Sequence, residues 1–552
     1  MNFLTTARLR HLALLELAHE APLFGTIAPL PPNLRELKFR ATISAVGIFS
    51  ETNRMPPIRD QPVGATEPRA LPSRAARSMD IDLAVFILAD GFRADVLRAL
   101  CESDKMPNFS RYVLREGSHV EGVTVLPSVT DVAYLPMLTG QYPGAANMPG
   151  IRWVDKSRFT AGNFVVSGHR SYVGPAHLRF NEDLPDSLET LFELSPNSMA
   201  IRSDIHRGLS SGSNRFYGMS WPLMFLSHYF KRSDFVDKFA FNSLIKSLNG
   251  NASDLPRFIF LPLLGVDTAS HAHGPQHKRT IDAYQRIDGI IGSIVNRLKK
   301  FGVWDRTHLM IASDHGHSQT QDHLDLTRLV SELGYSVFEH PSIYPRKLDA
   351  AVAVSGNAFA NVYVASDGRW ERSLVGDELE REHQRLLETL RHRPEVEWAA
   401  YRHDNGAVKI ISDSGTGLVH RKGERFIYSY EGSDPLELGF SSASVHESEA
   451  LELTIDGRFP DALEQLSQIF TSERTGDLVV TSKPGYDLRG KREWPEHRSS
   501  HGALCREHMK VPILSNRPLS ASGPVRTVDI FPTIAESLDL TSTKPIPGRS
   551  LW

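Results

Sequence analysis

Seven residues are of the types that hold metal ions and attack phosphorus: Asp90, Thr130, Asp267, His271, Asp314, His315 and His501. Six are carboxylates or imidazoles, the donors that suit zinc-like divalent ions. The seventh is a hydroxyl, which beside such ions is a nucleophile for phosphoryl transfer. Most of them stand where an apolar, strand-like run gives way to a Gly, a Pro or a turn residue. The set is large enough for two metal shells.

Each motif also has a plainer local reading. Asp314-His315-Gly316 can present two donors to one ion, with Gly316 permitting a tight bend, or it can be a polar turn after a strand. Asp267 and His271 are four apart, so one helical turn puts both on one face. The same pair also suits an Asp N-cap with an unrelated surface histidine. His273 and His277 have the wrong spacing from Asp267 for that face. Asp90 closes the run in ILADGF, where it is a ligand or a helix N-cap. The stretch from Pro127 to Gly140, PSVTDVAYLPMLTG, places a hydroxyl at a strand-to-helix turn, where a helix N-terminus favours an anionic partner. Ser128 and Thr130 both qualify as nucleophile or cap. His501, in RSSHGALCREHM, precedes a Gly and taken alone is a loop histidine.

The elements between these motifs explain why they belong together. Leu83 to Ala89 is a continuous apolar run, as in a strand buried on both faces of a parallel sheet. RFIFLPLLGV (257–266) closes on Asp267, and THLMIAS (307–313) closes on Asp314. Between them Ile281, Tyr284, Ile287, Ile291, Ile294 and Leu298 share one helical face. The alternation predicts a doubly wound, mainly parallel α/β sheet flanked by helices, with the ligands at the carboxyl ends of its strands. Residues 1–78, rich in Pro, Arg, Ala and Thr, read as a weakly ordered extension. The core is expected over 79–349 and 488–552, interrupted by an α+β cap over 350–487. NAFANVYVA, AVKIISDSG and RFIYSYEGSD in that insert look like antiparallel material. Near its end GDLVVTSKPG reads as the return to the main sheet, followed by HMKVPILSN and a last helix in VDIFPTIAESLDL.

Composition narrows the rest. The chain has 552 residues, long for one minimal domain, and a formal net charge of -3, which carries no pull toward nucleic acid. Two cysteines, Cys101 and Cys505, cannot build a disulfide framework, so any metal site rests on carboxylates and the 23 histidines. No stretch reaches the ~18 apolar residues of a membrane span. Glu16, His19 and Glu20 interrupt the apolar run at the N-terminus, which makes a poor signal peptide and favours a cytoplasmic over an exported protein. The oligomeric state is not legible.

VFILADGFR, MPNFSRYVLREG, LPSVT followed by LTGQYPG, GVDTASHAHGP, the long run ending in MIASDHG, SSHGALCREHMKVPIL and TVDIFPTIAESLDL together resemble the alkaline phosphatase superfamily. The nearest branch is the type I phosphodiesterase / nucleotide pyrophosphatase family. The resemblance implies one ion held by Asp90, Asp314 and His315 with Thr130 bridging as nucleophile, and a second held by Asp267, His271 and His501. It also implies zinc, a small phosphate-ester substrate, most aptly a diester, and a phosphothreonine intermediate. Two ions at +4 against three Asp and an ionised Thr130 sum to zero. Two departures stand out. The branch continues after its nucleophile with Phe-Pro-Asn-His, whereas this chain has Asp131-Val132-Ala133-Tyr134. No Asn follows in NMPGIRW (147–153), where Arg152 or Trp153 is the expected substrate contact instead. A phosphomonoesterase, a phosphonate hydrolase or a phospho-group transferase on the same scaffold is the alternative. CESDK and CREHM fail the sulfatase motif.

Overall fold

A computed structural model describes residues 81–552 except 162–165, 216, 218–232, 249, 340–346, 442, 491–495 and 522. The N-terminal extension expected over 1–78 and the signal-like run therefore lie outside the described residues. Asp80–Trp552 form one compact unit that carries two large sheets.

The first sheet has eight strands, in the order Val525–Arg526, Ser118–Val123, Lys510–Ser515, Thr307–Ala312, Leu83–Ala89, Phe258–Leu263, Ser198–Ile201 and Asn214–Arg215. All neighbours are parallel except Lys510–Ser515, which runs antiparallel to both of its partners. This is the predicted α/β class with a mainly parallel sheet. Leu83–Ala89, Phe258–Leu263 and Thr307–Ala312 sit at its centre and are buried along their whole length. Their side chains alternate between two cores, as a period of two requires. Leu83, Val85 and Ile87 meet the helix Lys278–Lys300 on one face. Ala84, Phe86 and Leu88 face the helix Ile530–Ser537 on the other. Because the three strands are parallel neighbours, their carboxyl ends lie side by side, and Asp90, Asp267 and Asp314 all follow those ends.

The second sheet has nine strands: Val337–Phe338, Ala350–Ser355, Phe359–Val364, Leu478–Ser482, Val396–Arg402, Val408–Ile411, Gly415–Lys422, Arg425–Gly432 and Ala443–His446. It is antiparallel apart from its first pair. Leu478–Ser482, in GDLVVTSKPG, corrects one expectation. It does not rejoin the main sheet but pairs inside the second one. A short apolar run suits the middle of either sheet, and only its long-range partners decide between them. HMKVPILSN does return to the main sheet, as Lys510–Ser515.

Elements around the second sheet hold segments that lie beside the first. Gln465, on the helix Ala462–Ile469, accepts from Leu126 N at 2.9 Å, and Gln468 donates to Leu126 O at 2.6 Å. Two side-chain amides thus stand in for a strand partner just before the segment that carries Thr130. The turn after Ala350–Ser355 holds His501, whose N donates to Gly356 O at 2.9 Å, while Ala358 N donates to His501 O at 3.0 Å.

One buried group gives the fold a pH dependence of its own. His308 lies in the main sheet between the hydroxyls of Ser537 and Ser515, at 2.9 and 3.2 Å, and burial lowers its pKa from 6.5 to about 3. Between those values the unfolded chain binds a proton that the folded chain refuses. Stability therefore falls as pH drops through this window, by up to about 1.4 kcal/mol per unit from this residue. His308→Gln keeps a partner for the hydroxyls and does not titrate. Denaturant melts from pH 6.5 to 4 should show a flatter loss of stability in the variant, and parallel curves would contradict the assignment.

Candidate active site

The site begins with the backbone after Ala89. Gly91 has φ 75°, in the region that favours glycine, and a Cβ there would lie 2.8 Å from His317 Nε2 and 3.0 Å from Asp267 Cα. The bend lets Gly91 N donate to Asp314 Oδ1 at 3.3 Å, and Asp267 N donates to Asp90 O at 3.2 Å. Three aspartates from three strand ends are stitched together by backbone amides. Gly316 is needed for a reason other than the expected bend: a Cβ there would collide with Glu507 O at 2.1 Å.

Asp267 and His271 lie on the helix Gly265–His273, whose first amide, Gly265 N, is capped by Asp237 Oδ1 at 2.9 Å. The i,i+4 spacing acts as predicted, with Asp267 Oδ1 3.2 Å from His271 Nε2. His501 Nε2 comes within 3.9 Å of the same oxygen from a loop more than two hundred residues away. On the other side His315 Nε2 lies 3.3 Å from Asp314 Oδ2, 3.6 Å from Asp90 Oδ1 and 3.1 Å from Thr130 Oγ1. His315 and His501 stack with ring centres 3.7 Å apart, so the two groups share a wall. All seven predicted residues thus converge.

The histidines are oriented as donors. His271 Nδ1 donates to Ser499 O at 3.0 Å, His501 Nδ1 to Ser128 O at 2.9 Å and His315 Nδ1 to Gly316 O at 3.2 Å. A carbonyl only accepts, so each Nδ1 carries the proton and each Nε2 presents its lone pair inward. Burial keeps His501 far below its usual range and pushes His315 down to about 3, so both stay neutral. Burial and the neighbouring carboxylates hold Asp90 and Asp314 well above the usual carboxylate range. Asp90 Oδ1, Asp267 Oδ1 and Asp314 Oδ2 are buried without a hydrogen-bond partner. Orphaned buried carboxylate oxygens facing inward-pointing imidazole nitrogens are the pattern of a cation site. Asp90, Asp314 and His315 form one group of donors, and Asp267, His271 and His501 another, each within 4.8 Å.

The structure separates the two candidate hydroxyls. Ser128 is fully buried; its hydroxyl donates to Ala503 O at 3.0 Å and accepts from Gly502 N at 3.2 Å. Thr130 faces His315. The helix expected behind it is short, a 3-10 turn over Val132–Tyr134 followed by Leu135–Thr139, so no extended helix end supports the site. Instead Asp131 bends sharply at φ 67°, ψ -49°, with Val132 N donating to Thr130 O at 2.9 Å. This is the rare, strained form of the γ-turn; Asp131 is its tip and Thr130 its first residue, with the Thr130 hydroxyl against His315.

Other expectations are placed elsewhere. His273 and His277 stack on each other with ring centres 5.1 Å apart, outside the ligand groups. Arg152 donates to Val354 O at 2.9 Å on the second sheet. Trp153 is 3% exposed, with Arg474 over its ring at 4.1 Å and Tyr172 against its edge, which makes it a packing residue.

Local spacing missed Tyr134, His317 and His497. Tyr134 OH donates to Asp90 Oδ2 at 2.9 Å and leaves Oδ1 free. Its position, four residues after Thr130, was the available signal. Tyr134→Phe removes the donor from a buried carboxylate, and groups that orient ligands typically cost about 10- to 100-fold in metal affinity or activity. A kcat/KM within twofold of the unaltered protein would show that Asp90 needs no such support. His497 packs on His271 with ring centres 4.2 Å apart and bonds Asn357 at 2.8 Å. His317 follows His315 by two residues.

Comparisons with known proteins fit this geometry. The type I phosphodiesterase / nucleotide pyrophosphatase family matches residues 84–504. Human bis(5'-adenosyl)-triphosphatase ENPP4 is 26% identical over 241 residues, 43% of this chain and 48% of that protein. This chain thus spans about half the length of the triphosphatase relatives it matches. Rat ectonucleotide pyrophosphatase/phosphodiesterase family member 1 is 38% identical over 64 residues, 12% of this chain and 7% of that protein. Phosphonoacetate hydrolase from Sinorhizobium meliloti, solved with phosphonoformate, shares the fold at a TM-score of 0.50 and 16% identity, covering 83% of this chain and 96% of that one. Human ectonucleotide pyrophosphatase / phosphodiesterase 5 does so at 0.50 and 15%, covering 84% and 97%. The names of the ectonucleotide relatives place those enzymes outside the cell, which overturns the cytoplasmic preference drawn from the N-terminus. Among the described residues no helix is long and apolar enough to cross a membrane.

Proposed function

As the chain belongs to the type I phosphodiesterase / nucleotide pyrophosphatase family, we propose that it is a hydrolase of phosphate esters that cleaves a phosphodiester through Thr130 with the help of two divalent ions, most aptly zinc. The observation that carries this reading is the convergence of three orphaned carboxylate oxygens and three inward-facing imidazoles beside the Thr130 hydroxyl. Asp90, Asp314 and His315 would hold one ion, and Asp267, His271 and His501 the other. Bound there, the ions supply the positive charge that lowers the pKa of the Thr130 hydroxyl and stabilises the leaving oxygen.

The chain's own residues do the rest. The γ-turn at Asp131 presents Thr130 Oγ1, and His315 Nε2 lies 3.1 Å from it. Oγ1, its proton lost to solvent, forms a bond to phosphorus as the bond to the leaving alkoxide breaks; the alkoxide takes a proton from solvent, and Thr130 is left carrying the phosphoryl group with its remaining ester. Water then attacks phosphorus, the bond to Oγ1 breaks, and the monoester leaves with the water's oxygen. Tyr134 keeps Asp90 oriented throughout. The second sheet, which apart from Val337–Phe338 lies within the insert expected over 350–487, supports this site through the turn that holds His501.

The test is a rate comparison of zinc-loaded protein on bis(nitrophenyl) phosphate, nitrophenyl phosphate and a nitrophenyl phosphonate. The diester should be fastest, and a faster monoester would overturn the preference. A short match to mouse GPI ethanolamine phosphate transferase 3, catalytic subunit, 26% identical over 110 residues, 20% of this chain and 9% of that protein, favours one second reading. In it the phosphoryl group passes from Thr130 to an alcohol. Adding ethanolamine or glycerol to the assay and analysing products separates the two.

A further inference from the structure

His317 is fully buried, and the family resemblance assigns it no role. Its Nδ1 lies 3.1 Å from Ser499 Oγ, while its Nε2 lies 3.1 Å from Asp267 Oδ1. That second contact is close but poorly directed for a hydrogen bond, and both atoms are left without a hydrogen-bond partner. Two donors near 3 Å that do not point at each other can instead point at a shared third position. Atoms ligating one tetrahedral ion at about 2.1 Å lie roughly 3.3 Å apart.

The rings give an independent measure. His271, His317 and His501 surround Asp267 with ring centres 5.0, 5.1 and 5.1 Å apart, close to an equilateral triangle. Three imidazoles on one tetrahedral ion would hold their ring centres roughly 5 Å apart, given bonds near 2.1 Å. Asp267 Oδ1 lies 3.2, 3.1 and 3.9 Å from the Nε2 atoms of the three rings, as the fourth corner of such a set. His317 falls with Asp267 and His315 in a further group of donors within 4.8 Å, so it stands between the two shells and would complete the one at Asp267 by closing on the oxygen 3.1 Å away. Ser499 serves two of these ligands. Its carbonyl takes the Nδ1 proton of His271, and its hydroxyl holds Nδ1 of His317. Pairing of Gln319 with Ser499 keeps the two segments in register.

We infer that His317 is a metal ligand, and that the ion at Asp267 is held by four protein donors: Asp267, His271, His317 and His501. This deepens the two-ion reading and rests on it. A shell of four protein donors is the arrangement of tightly held zinc, which can expand to a fifth ligand in the transition state and so still meet the leaving oxygen. The ion at Asp267 should therefore be the harder of the two to remove.

Metal content by mass spectrometry, with zinc affinity measured in competition with a chelator, tests this without using activity. The unaltered protein should hold two zinc ions; fewer would refute the two-ion reading itself. His317→Leu should lose one ion, the same one that His271→Ala loses, so the double variant keeps one. His317→Gln keeps an N–H donor for Asp267 and so separates a ligand from a mere hydrogen-bond donor. The inference predicts at least a tenfold weaker site in His317→Gln, and affinity restored to the level of the unaltered protein would overturn it. Ser499→Ala leaves every ligand in place and should weaken the same ion about 10- to 100-fold. X-ray absorption of protein loaded with one equivalent of zinc should show three imidazoles on that ion; two would overturn the inference.

Discussion

Thr130→Ala lowers kcat/KM on a phosphodiester by at least about a thousandfold, the scale seen when a nucleophile is removed from a site whose binding and charge remain. The metal content should stay at two ions per chain, because each proposed ion keeps at least three donors without the Thr130 oxygen. An acid-quenched sample of the unaltered enzyme should carry the phosphoryl group on the peptide containing Thr130, and the variant should carry none. Ser128→Ala behaves differently. Its hydroxyl serves Gly502 and Ala503 beside His501, so its loss costs stability of about 1 kcal/mol and leaves the chemistry near normal. Turnover in Thr130→Ala within tenfold of the unaltered enzyme, with loss in Ser128→Ala, would move the nucleophile and refute the proposed role of the γ-turn.

The second large effect comes from breaking a shell. Asp314→Ala should remove one ion and lower kcat/KM on the order of a thousandfold, since charge arranged in advance for the transition state is the main catalytic resource of such sites. Stripping both ions with a chelator should also destabilise the fold. Asp90, Asp267 and Asp314 are packed together, and two of them are forced well above the usual carboxylate range without a counter-charge. Bound ions relieve that crowding and act through mass action, worth about 4 kcal/mol when free zinc exceeds its Kd a thousandfold. The melting temperature should therefore fall on chelation and recover when zinc is returned. A melting temperature that ignores both treatments would argue against any resident ion.

Much of the site was legible before any coordinates because its chemistry is written in residue types at strand ends. Asp90, Asp267 and Asp314 each follow a run buried on both faces, and a parallel sheet brings such ends to one edge. The i,i+4 pair Asp267 and His271 needs only a helix. Trp153 shows the opposite case: nothing in NMPGIRW reveals that the ring lies under Arg474, because the cation that covers it is far along the chain. His317 was overlooked because a histidine two residues beyond Asp-His has no fixed local direction.

From its sequence alone this chain is a mainly parallel α/β protein, with carboxylates and imidazoles enough for the two proposed ions and a hydroxyl proposed to attack phosphorus. Those properties follow from local periodicity and residue chemistry, which a linear string carries in full. Tertiary structure decided which hydroxyl faces the ligands, which sheet takes Leu478–Ser482, and how His317 and His501 meet Asp267. Each of these depends on which distant groups become neighbours. Hydrogen-bond direction, burial and register set those pairings only once the whole chain has packed.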